Sequence, residues 1–187
     1  SEKIKGKKGE TLKGKKVILG VTGSIAAVRC VELARELIRR GAEVRAVMTH
    51  EAMEIIHPYA LQFASGKDVV TELTGEVEHV DLMEEADLLL IAPCTANTIG
   101  KIASGIDDTP VTTFATVALG KKPVIIAPAM HEPMYDNPIV AKNVEMLRKI
   151  GVAFVEPFRD EEAAKIASID EIVINVERAL SKKILEN

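Results

Sequence analysis

The chain has 187 residues, of which 47% are hydrophobic and 28% charged, enough for one sizeable core and short for two. A net charge of -4 and an aromatic content of 3% argue against nucleic acid as a partner, because such sites need cations or stacking rings. We find no apolar run near the roughly 18 to 20 residues of a membrane span and no signal sequence. The sequence therefore predicts one cytoplasmic domain with no membrane partner.

The first elements are a basic segment, a strand and a helix. Residues 1–15 are rich in lysine and contain little that packs, so we expect a basic flexible tail ahead of a folded domain over residues 16–187. Lys16–Val21 is an apolar, β-branched run that stops at a glycine turn, as a buried strand does. Apolar residues at helical spacing predict a helix over Ser24–Arg40, and Val44–Met48 is predicted as the second strand.

The same alternation continues along the chain. Further strands are predicted at Leu88–Ala92, Val124–Ala127 and Val152–Val155, and further helices at Thr95–Ala103, Pro138–Ile150 and Ile169–Leu185. Strands that are apolar throughout and alternate with helices are typical of a parallel sheet covered on both faces. We therefore predict a single α/β domain with a doubly wound parallel sheet, a flavodoxin- or Rossmann-like three-layer sandwich.

Three turns at predicted strand ends carry the candidate binding residues. Residues 20–25 lead into a helix N-terminus with a serine, which suits a phosphate monoester but serves equally as a capped connection. That turn has neither the third glycine of a dinucleotide fingerprint nor a P-loop lysine. Residues 92–98 offer a proline and small residues to a flat ring, or simply form a proline turn with a helix N-cap. Residues 128–135 offer methionines that line a pocket or fill the core. All three are expected to meet at the carboxyl edge of the sheet.

His79 is the candidate proton-transfer group among the four histidines. It precedes the third long apolar strand, where a short helix is expected to direct it towards the same strand ends, although a lone histidine is more often structural. No two His or Cys residues stand at the spacing of a zinc site, and no nucleophile elbow occurs. The motifs favour an organic cofactor, with the protein supplying position and proton transfer.

Together these motifs resemble the homo-oligomeric flavin-containing cysteine decarboxylases, and within them the flavoprotein half of the archaeal-type bifunctional enzymes of coenzyme A biosynthesis. The resemblance runs from about Gly14 to about Pro157 and includes the three turns, Thr49 and His79. It implies FMN as cofactor and decarboxylation of 4'-phosphopantothenoylcysteine to 4'-phosphopantetheine. An FMN electron-transfer protein and a non-catalytic flavoprotein of the same fold are the alternatives.

The resemblance also implies partners and residue roles. It implies a homotrimer or a multiple of trimers, in which residues around His79 complete the neighbour's pocket, and a fused or separate phosphopantothenate–cysteine ligase. His79 is the expected active-site base, and His131 and Met134 are expected to contact the substrate. The residues expected around FMN are Gly23, Ser24, Ile25, Thr49, Pro93, Cys94, Thr95, Ala96 and Ala129.

Two positions depart from the family's pattern. The family usually has asparagine at the position of His131, and its flap carries a proton-donating cysteine. Residues 156–167, where that flap is expected, contain no cysteine and form either a flap or a simple connecting loop. Lys165 or a water then has to supply the last proton, or the reaction stops at the ene-thiol.

Overall fold

A computed structural model describes residues 1–75, 78–160 and 163–181 of the chain. Its strands are β1 (Lys16–Val21), β2 (Glu43–Met48), β3 (Leu88–Cys94), β4 (Val124–Pro128), β5 (Ala153–Phe154), β6 (Phe158–Asp160) and β7 (Ala163–Lys165). The first five form a parallel sheet in the order β2-β1-β3-β4-β5, and the last two form a separate antiparallel pair. This order is that of flavodoxin-like sheets, so the predicted fold class is confirmed.

Helices cover both faces of the sheet. They are α1 (Cys30–Arg39), α2 (His50–Met53), α3 (Pro58–Ser65), α4 (Glu78–Glu85), α5 (Ala96–Ser104), α6 (Pro110–Ala118), α7 (Glu132–Tyr135), α8 (Pro138–Lys149) and α9 (Ile169–Ser181), with 3-10 helices at Glu2–Ile4 and Ile25–Arg29. One apolar cluster lies under α1, α3 and α9, and a second lies under α4, α5, α6 and α8. Every residue of β3 and β4 is buried, as their continuous apolar runs predict.

The predicted elements match this architecture with a few differences. All five predicted strands are present, and the predicted first helix is a 3-10 turn that leads into α1. Neither α3 nor α6 was predicted as a helix. The expected last helix is present as α9, and the part of it predicted over residues 182–185 lies outside the described residues. The expected flap region contains the hairpin of β6 and β7.

Residues 1–15 pack against the end of α1. Backbone N–H groups of Gly6, Lys8 and Leu12 donate hydrogen bonds to the carbonyls of residues 38–40 at 2.9–3.1 Å. These bonds satisfy carbonyls that a helix leaves without partners at its C-terminus. Leu12 is fully buried in the core beneath α1. The structure therefore corrects the expectation that this segment contains little that packs, because a single leucine and three backbone donors hold it in place.

A buried carboxylate adds an electrostatic anchor to the same segment. The side chain of Glu36 on α1 is 7% exposed and accepts hydrogen bonds from Lys8 at 2.8 Å, from Arg40 at 2.7 Å and from Arg39. Burial alone raises the pKa of this carboxyl, but the three hydrogen bonds outweigh burial and lower its pKa to about 2. Glu36 is therefore ionised in the folded protein across the physiological range.

We predict that Glu36→Gln lowers the free energy of unfolding at neutral pH by about 3 kcal/mol, because three cations lose their buried counter-charge. In the native sequence this stabilisation is present above about pH 4.5 and is lost as the pH falls towards 2, since the unfolded carboxyl binds a proton before the folded one does. Urea unfolding over this pH range measures both effects. Glu10→Gln, which removes an exposed pair with Lys13, is the control. Equal acid sensitivity in Glu36→Gln and the native protein contradicts the assignment.

Candidate functional site

Thr22 joins the turn after β1 to the turn after β3. It is 1% exposed; its hydroxyl donates to the carbonyl of Pro93 at 2.8 Å and accepts from the N–H of Thr95 at 3.0 Å. The backbone N–H of Thr22 also donates to the Pro93 carbonyl, at 3.3 Å. The peptide between Ala92 and Pro93 is cis. A single buried threonine thus fixes two of the three predicted turns side by side.

Two backbone hydrogen bonds bring the neighbouring turns to the same edge. The N–H of Ala129 donates to the carbonyl of Cys94 at 3.1 Å, and the N–H of Thr49 donates to the carbonyl of Val21 at 3.1 Å. The turns that follow β1, β2, β3 and β4 are therefore adjacent, as the carboxyl ends of neighbouring parallel strands require. Burial raises the pKa of the Cys94 thiol far above its ordinary value. Cys94 therefore acts as a small packing residue rather than as a nucleophile.

We predict that Thr22→Val lowers the free energy of unfolding by about 2 kcal/mol, because the isosteric valine leaves the Thr95 N–H without its acceptor. Urea unfolding measures the change. Thr116→Val is the matched control, because the hydroxyl of that exposed threonine donates only to the carbonyl of Thr112 within α6. A loss in Thr22→Val no larger than in Thr116→Val contradicts the idea that Thr22 joins the turns.

A cavity of about 560 Å³ opens beside the first turn. Its walls come from the 3-10 helix after β1, the turn after β4 and the segment at the end of β7. Four predicted site residues line it: Ser24, Ile25, Ala129 and His131. Sites for small organic ligands generally measure about 300–1,000 Å³ and are mostly apolar. The structure therefore places four of the twelve predicted site residues around one cavity of suitable size.

Exposed apolar side chains and cations line this cavity together. Ile25 is 78% exposed and Val28 56% exposed, although their spacing in the sequence is that of a helix's core face. Both line the cavity, as do the cations Arg29 and Lys165. This combination suits a ligand with a flat apolar body and an anionic group. Ser24 begins the 3-10 helix, where its Oγ accepts from the N–H of Ala26 at 3.2 Å.

Several predicted residues shape the surroundings instead of lining the cavity. A Cβ atom on Gly23 would lie 2.4 Å from the Cβ of Glu51, so glycine permits the close approach of α2 to the first turn. Thr49 is buried and caps α2 by accepting from the N–H of Ala52 at 3.2 Å. Thr95 caps α5 in the same way, next to Ala96. These residues hold the turns in place and do not themselves line the cavity.

The predicted substrate contacts lie on and beside α7. His131 is the exposed residue before that helix and makes no side-chain capping bond to it. Met134 is 48% exposed on α7 but is not among the cavity-lining residues. Of the two, His131 is the one that the structure brings to the cavity.

His79 lies apart from this cavity within one chain. It is on α4 and lines a separate, small cleft with Val70, residues 72–74 and Leu82. Its Nδ1 is buried without a hydrogen-bond partner among the described residues, which is a costly arrangement for a polar atom. The expectation that α4 directs His79 towards the ligand site stays a prediction, and within one chain His79 does not line the cavity beside the first turn.

Sequence reasoning missed three residues of this region. Thr22 stood inside the first motif without an assigned role, and its position as a hydroxyl residue directly after an apolar strand was the available signal. Val28 follows Ile25 by one turn of the 3-10 helix and shares its side, and Arg29 is the next residue. Treating the whole apolar stripe as core concealed Val28 from the prediction.

Two kinds of feature, a membrane-spanning helix and a metal-binding cluster, are absent from the part of the chain that the structure describes. Within the described ranges, no helix combines the length and the apolar character that crossing a membrane requires. In the same residues, no group of three or more His, Cys, Asp or Glu side chains is arranged to hold a metal ion.

Comparison with known proteins places the chain in a family. The model of the family described as Flavoprotein matches residues 5–181. The chain belongs to the Flavoprotein family. A Flavoprotein relative, the coenzyme A biosynthesis bifunctional protein CoaBC of Thermococcus kodakarensis, is 60% identical over 183 residues. That match covers 96% of this chain and 45% of the relative, so the chain spans about half the length of the curated protein it matches.

Solved structures of related enzymes share the fold. The FMN-dependent cysteine decarboxylase SpaF matches with a TM-score of 0.81 and 30% identity, over 91% of this chain and 98% of SpaF. A PPC decarboxylase mutant complexed with pantothenoylaminoethenethiol matches with a TM-score of 0.77 and 28% identity, over 89% of this chain and 98% of that protein. The resemblance to flavin-containing cysteine decarboxylases that the motifs predicted is therefore confirmed.

Proposed function

We propose that this chain binds FMN and decarboxylates 4'-phosphopantothenoylcysteine to 4'-phosphopantetheine in coenzyme A biosynthesis. The observation that carries the proposal is the apolar cavity lined by Ser24, Ile25 and Ala129 at the carboxyl edge of a Flavoprotein sheet. The names of SpaF, the PPC decarboxylase and CoaBC support the reaction class and the pathway. The activity is that of a flavin-dependent carboxy-lyase.

The residues of the cavity fit FMN. The apolar surfaces of Ile25, Val28 and Ala129 suit a flat isoalloxazine ring, and the Ser24 hydroxyl together with the Arg29 cation suits a phosphate. Pro93, Cys94, Thr95 and Ala96 form the turn that would border the ring. Bound FMN supplies the two-electron oxidation of the thiol-bearing carbon that makes loss of carbon dioxide easy. Protein side chains cannot perform that oxidation, so their part is to position the substrate and to move protons.

Two basic side chains at the cavity have proposed roles towards the substrate. His131 would hold the substrate carboxylate, either as a neutral N–H donor or as a cation with stronger attraction. Met134 on the adjoining α7 would contact the substrate's apolar part. Lys165 lines the same cavity and would deliver the proton that, together with the two electrons returned by the reduced flavin as a hydride, would convert the ene-thiol into the final thiol. This lysine takes the role for which residues 156–167 offer no cysteine.

We propose His79 as the base of a neighbouring subunit's site. Two observations support a site shared between chains: His79 does not line its own chain's cavity, and its Nδ1 lacks a partner among the described residues. A homotrimer, or a multiple of trimers, would bring the α4 of one subunit to the cavity of the next. A phosphopantothenate–cysteine ligase, fused or separate, would supply the substrate in the same cytoplasmic compartment.

One experiment tests the proposal and separates it from its alternatives. The purified protein is examined for bound flavin and given 4'-phosphopantothenoylcysteine, while carbon dioxide release and product mass are followed. Bound FMN with formation of 4'-phosphopantetheine supports the proposal. Release of the ene-thiol contradicts only the role proposed for Lys165 and leaves the rest of the proposal standing. Flavin reduction by an external donor without carbon dioxide favours an electron-transfer protein. A protein that takes up no FMN contradicts the proposal.

A further inference from the structure

An arginine on β6 joins the β6–β7 hairpin to α7. Nη1 of Arg159 donates to Oε1 of Glu132 at 2.7 Å, and Nη2 donates to Oδ1 of Asp136 at 2.9 Å. Glu132 is the first residue of α7 and Asp136 is its C-cap, so the guanidinium spans the helix. The Cζ of Arg159 also lies 6.0 Å from the centre of the Tyr135 ring. Three neighbouring side chains of one short helix thus hold this cation.

The two elements that Arg159 joins each adjoin a residue that lines the cavity. His131 comes directly before α7, and Lys165 is the last residue of β7; both line the cavity. In the hairpin, Arg159 pairs with Ala164, the neighbour of Lys165 in the chain. The position of Lys165 relative to His131 therefore depends on the hydrogen bonds that Arg159 makes to α7.

A second contact holds α7 to the residues that precede β6 in the chain. The hydroxyl of Tyr135 donates to Oε2 of Glu156 at 2.8 Å, and Glu156 also pairs with Arg148 of α8. The helix is therefore anchored to the segment before β6 independently of Arg159. Loss of Arg159 should release the hairpin and leave α7 in place.

The ion pairs of Arg159 with Glu132 and Asp136 are better suited to orienting the hairpin than to stabilising the folded protein. The side chains of Arg159, Glu132 and Asp136 are 45–50% exposed, and exposed ion pairs contribute little to the free energy of unfolding. Salt also screens such pairs. A guanidinium that binds carboxylates through two N–H groups nevertheless fixes orientation, which a lysine cannot do equally well.

We propose that Arg159 is a positioning residue that clasps the hairpin onto α7 at the mouth of the cavity and thereby sets the position of the Lys165 cation relative to His131. Arg159 itself contacts neither the walls at Ile25 and Ala129 nor the first turn, so cofactor binding does not depend on it. The substrate part of this inference rests on the proposed function. The clasp, by which we mean the hydrogen bonds of Arg159 to Glu132 and Asp136, is a property of the fold and does not depend on the proposed function.

The test compares Arg159→Gln with Arg35→Gln, which removes an exposed pair with Glu32 on α1. Hydrogen exchange is measured on the full FMN-loaded chains at low and high salt. In Arg159→Gln the backbone amides of β6 and β7 should exchange about tenfold faster than in the native protein at low salt. High salt should speed this exchange to a similar extent in the native protein and should not change it further in Arg159→Gln. In Arg35→Gln these amides should exchange as in the native protein.

Steady-state kinetics test the effect on the substrate. Arg159→Gln should raise KM about tenfold with kcat changed less than about twofold and flavin content unchanged, and Arg159→Lys should give an intermediate KM. An unaltered KM overturns the role at the cavity mouth. Unaltered exchange of the hairpin overturns the clasp, whether or not the protein is a decarboxylase. A native protein without decarboxylase activity contradicts the proposed function, and altered exchange in Arg159→Gln then still supports the clasp.

Discussion

Replacement of His79 by asparagine should reduce carbon dioxide release by about 10²–10⁴-fold, the usual contribution of a positioned acid or base. Asparagine keeps a polar group of similar reach but cannot move a proton near neutral pH. FMN content should stay at the native level, because His79 does not line the cavity of its own chain. Initial rates of carbon dioxide release and flavin absorbance of the purified variant measure the two quantities.

Mixed oligomers test whether this base acts on a neighbouring subunit. Subunits with His79→Asn keep an intact cavity, and subunits with Ile25→Arg keep the histidine but lose the apolar wall. If the site is shared between chains, refolding the two inactive variants together should restore part of the activity. Equal inactivity of the mixture and its components, with mixed oligomers shown by mass, contradicts a shared site. A histidine control, His57→Asn on the N-cap of α3, should leave activity near the native value.

The second large effect is expected from Gly23→Ala, which should weaken FMN binding at least about tenfold by a steric mechanism. The added Cβ would lie 2.4 Å from the Cβ of Glu51 and 3.2 Å from its carbonyl carbon. The first turn and α2 would have to separate, and that turn carries both Thr22 and Ser24. Fluorescence titration of apo-protein with FMN measures the affinity.

Two further variants show whether that loss comes from the contact with Glu51. Gly23→Ala combined with Glu51→Gly removes the 2.4 Å contact and should recover part of the affinity. Gly100→Ala is the matched control. Gly100 lies inside α5, and the added Cβ would be 3.6 Å from Nδ2 of Asn143, an ordinary van der Waals distance. Native affinity in Gly23→Ala would show that the turn tolerates the methyl group and that the cofactor site lies elsewhere.

The strands of this fold could be predicted because each is a short apolar run with a clear end. The helix α6 could not, since the run of Val, Thr and Phe in Pro110–Ala118 has a low helix propensity and looks like a strand. A capping box between Thr109 and Thr112, with proline at the first helical position, was the local signal for its start. Burial of seven of its nine residues in the core stabilises α6 despite its composition.

The candidate site could be predicted only in part. The meeting of the turns that contain Ser24, Ile25, Ala129 and His131 followed from the rule that turns after parallel strands gather at one edge, and the family resemblance implied these individual residues. The bond between Thr22 and Pro93 joins residues 71 positions apart, so no local pattern announces it. The side of the molecule that α4 presents depends in the same way on packing between distant elements, so the sequence did not show that His79 and the first turn line different clefts within one chain.

The attachment of the first fifteen residues has a practical consequence for designing shorter versions of this protein. A version trimmed to begin at Lys16 keeps every strand of the sheet and all of the sequence motifs discussed above. It nevertheless removes Leu12 from the interior and strips the C-terminal carbonyls of α1 of three donors. A loss of solubility in such a trimmed protein would therefore reflect a hole beneath α1, and any loss of cofactor would be secondary to it.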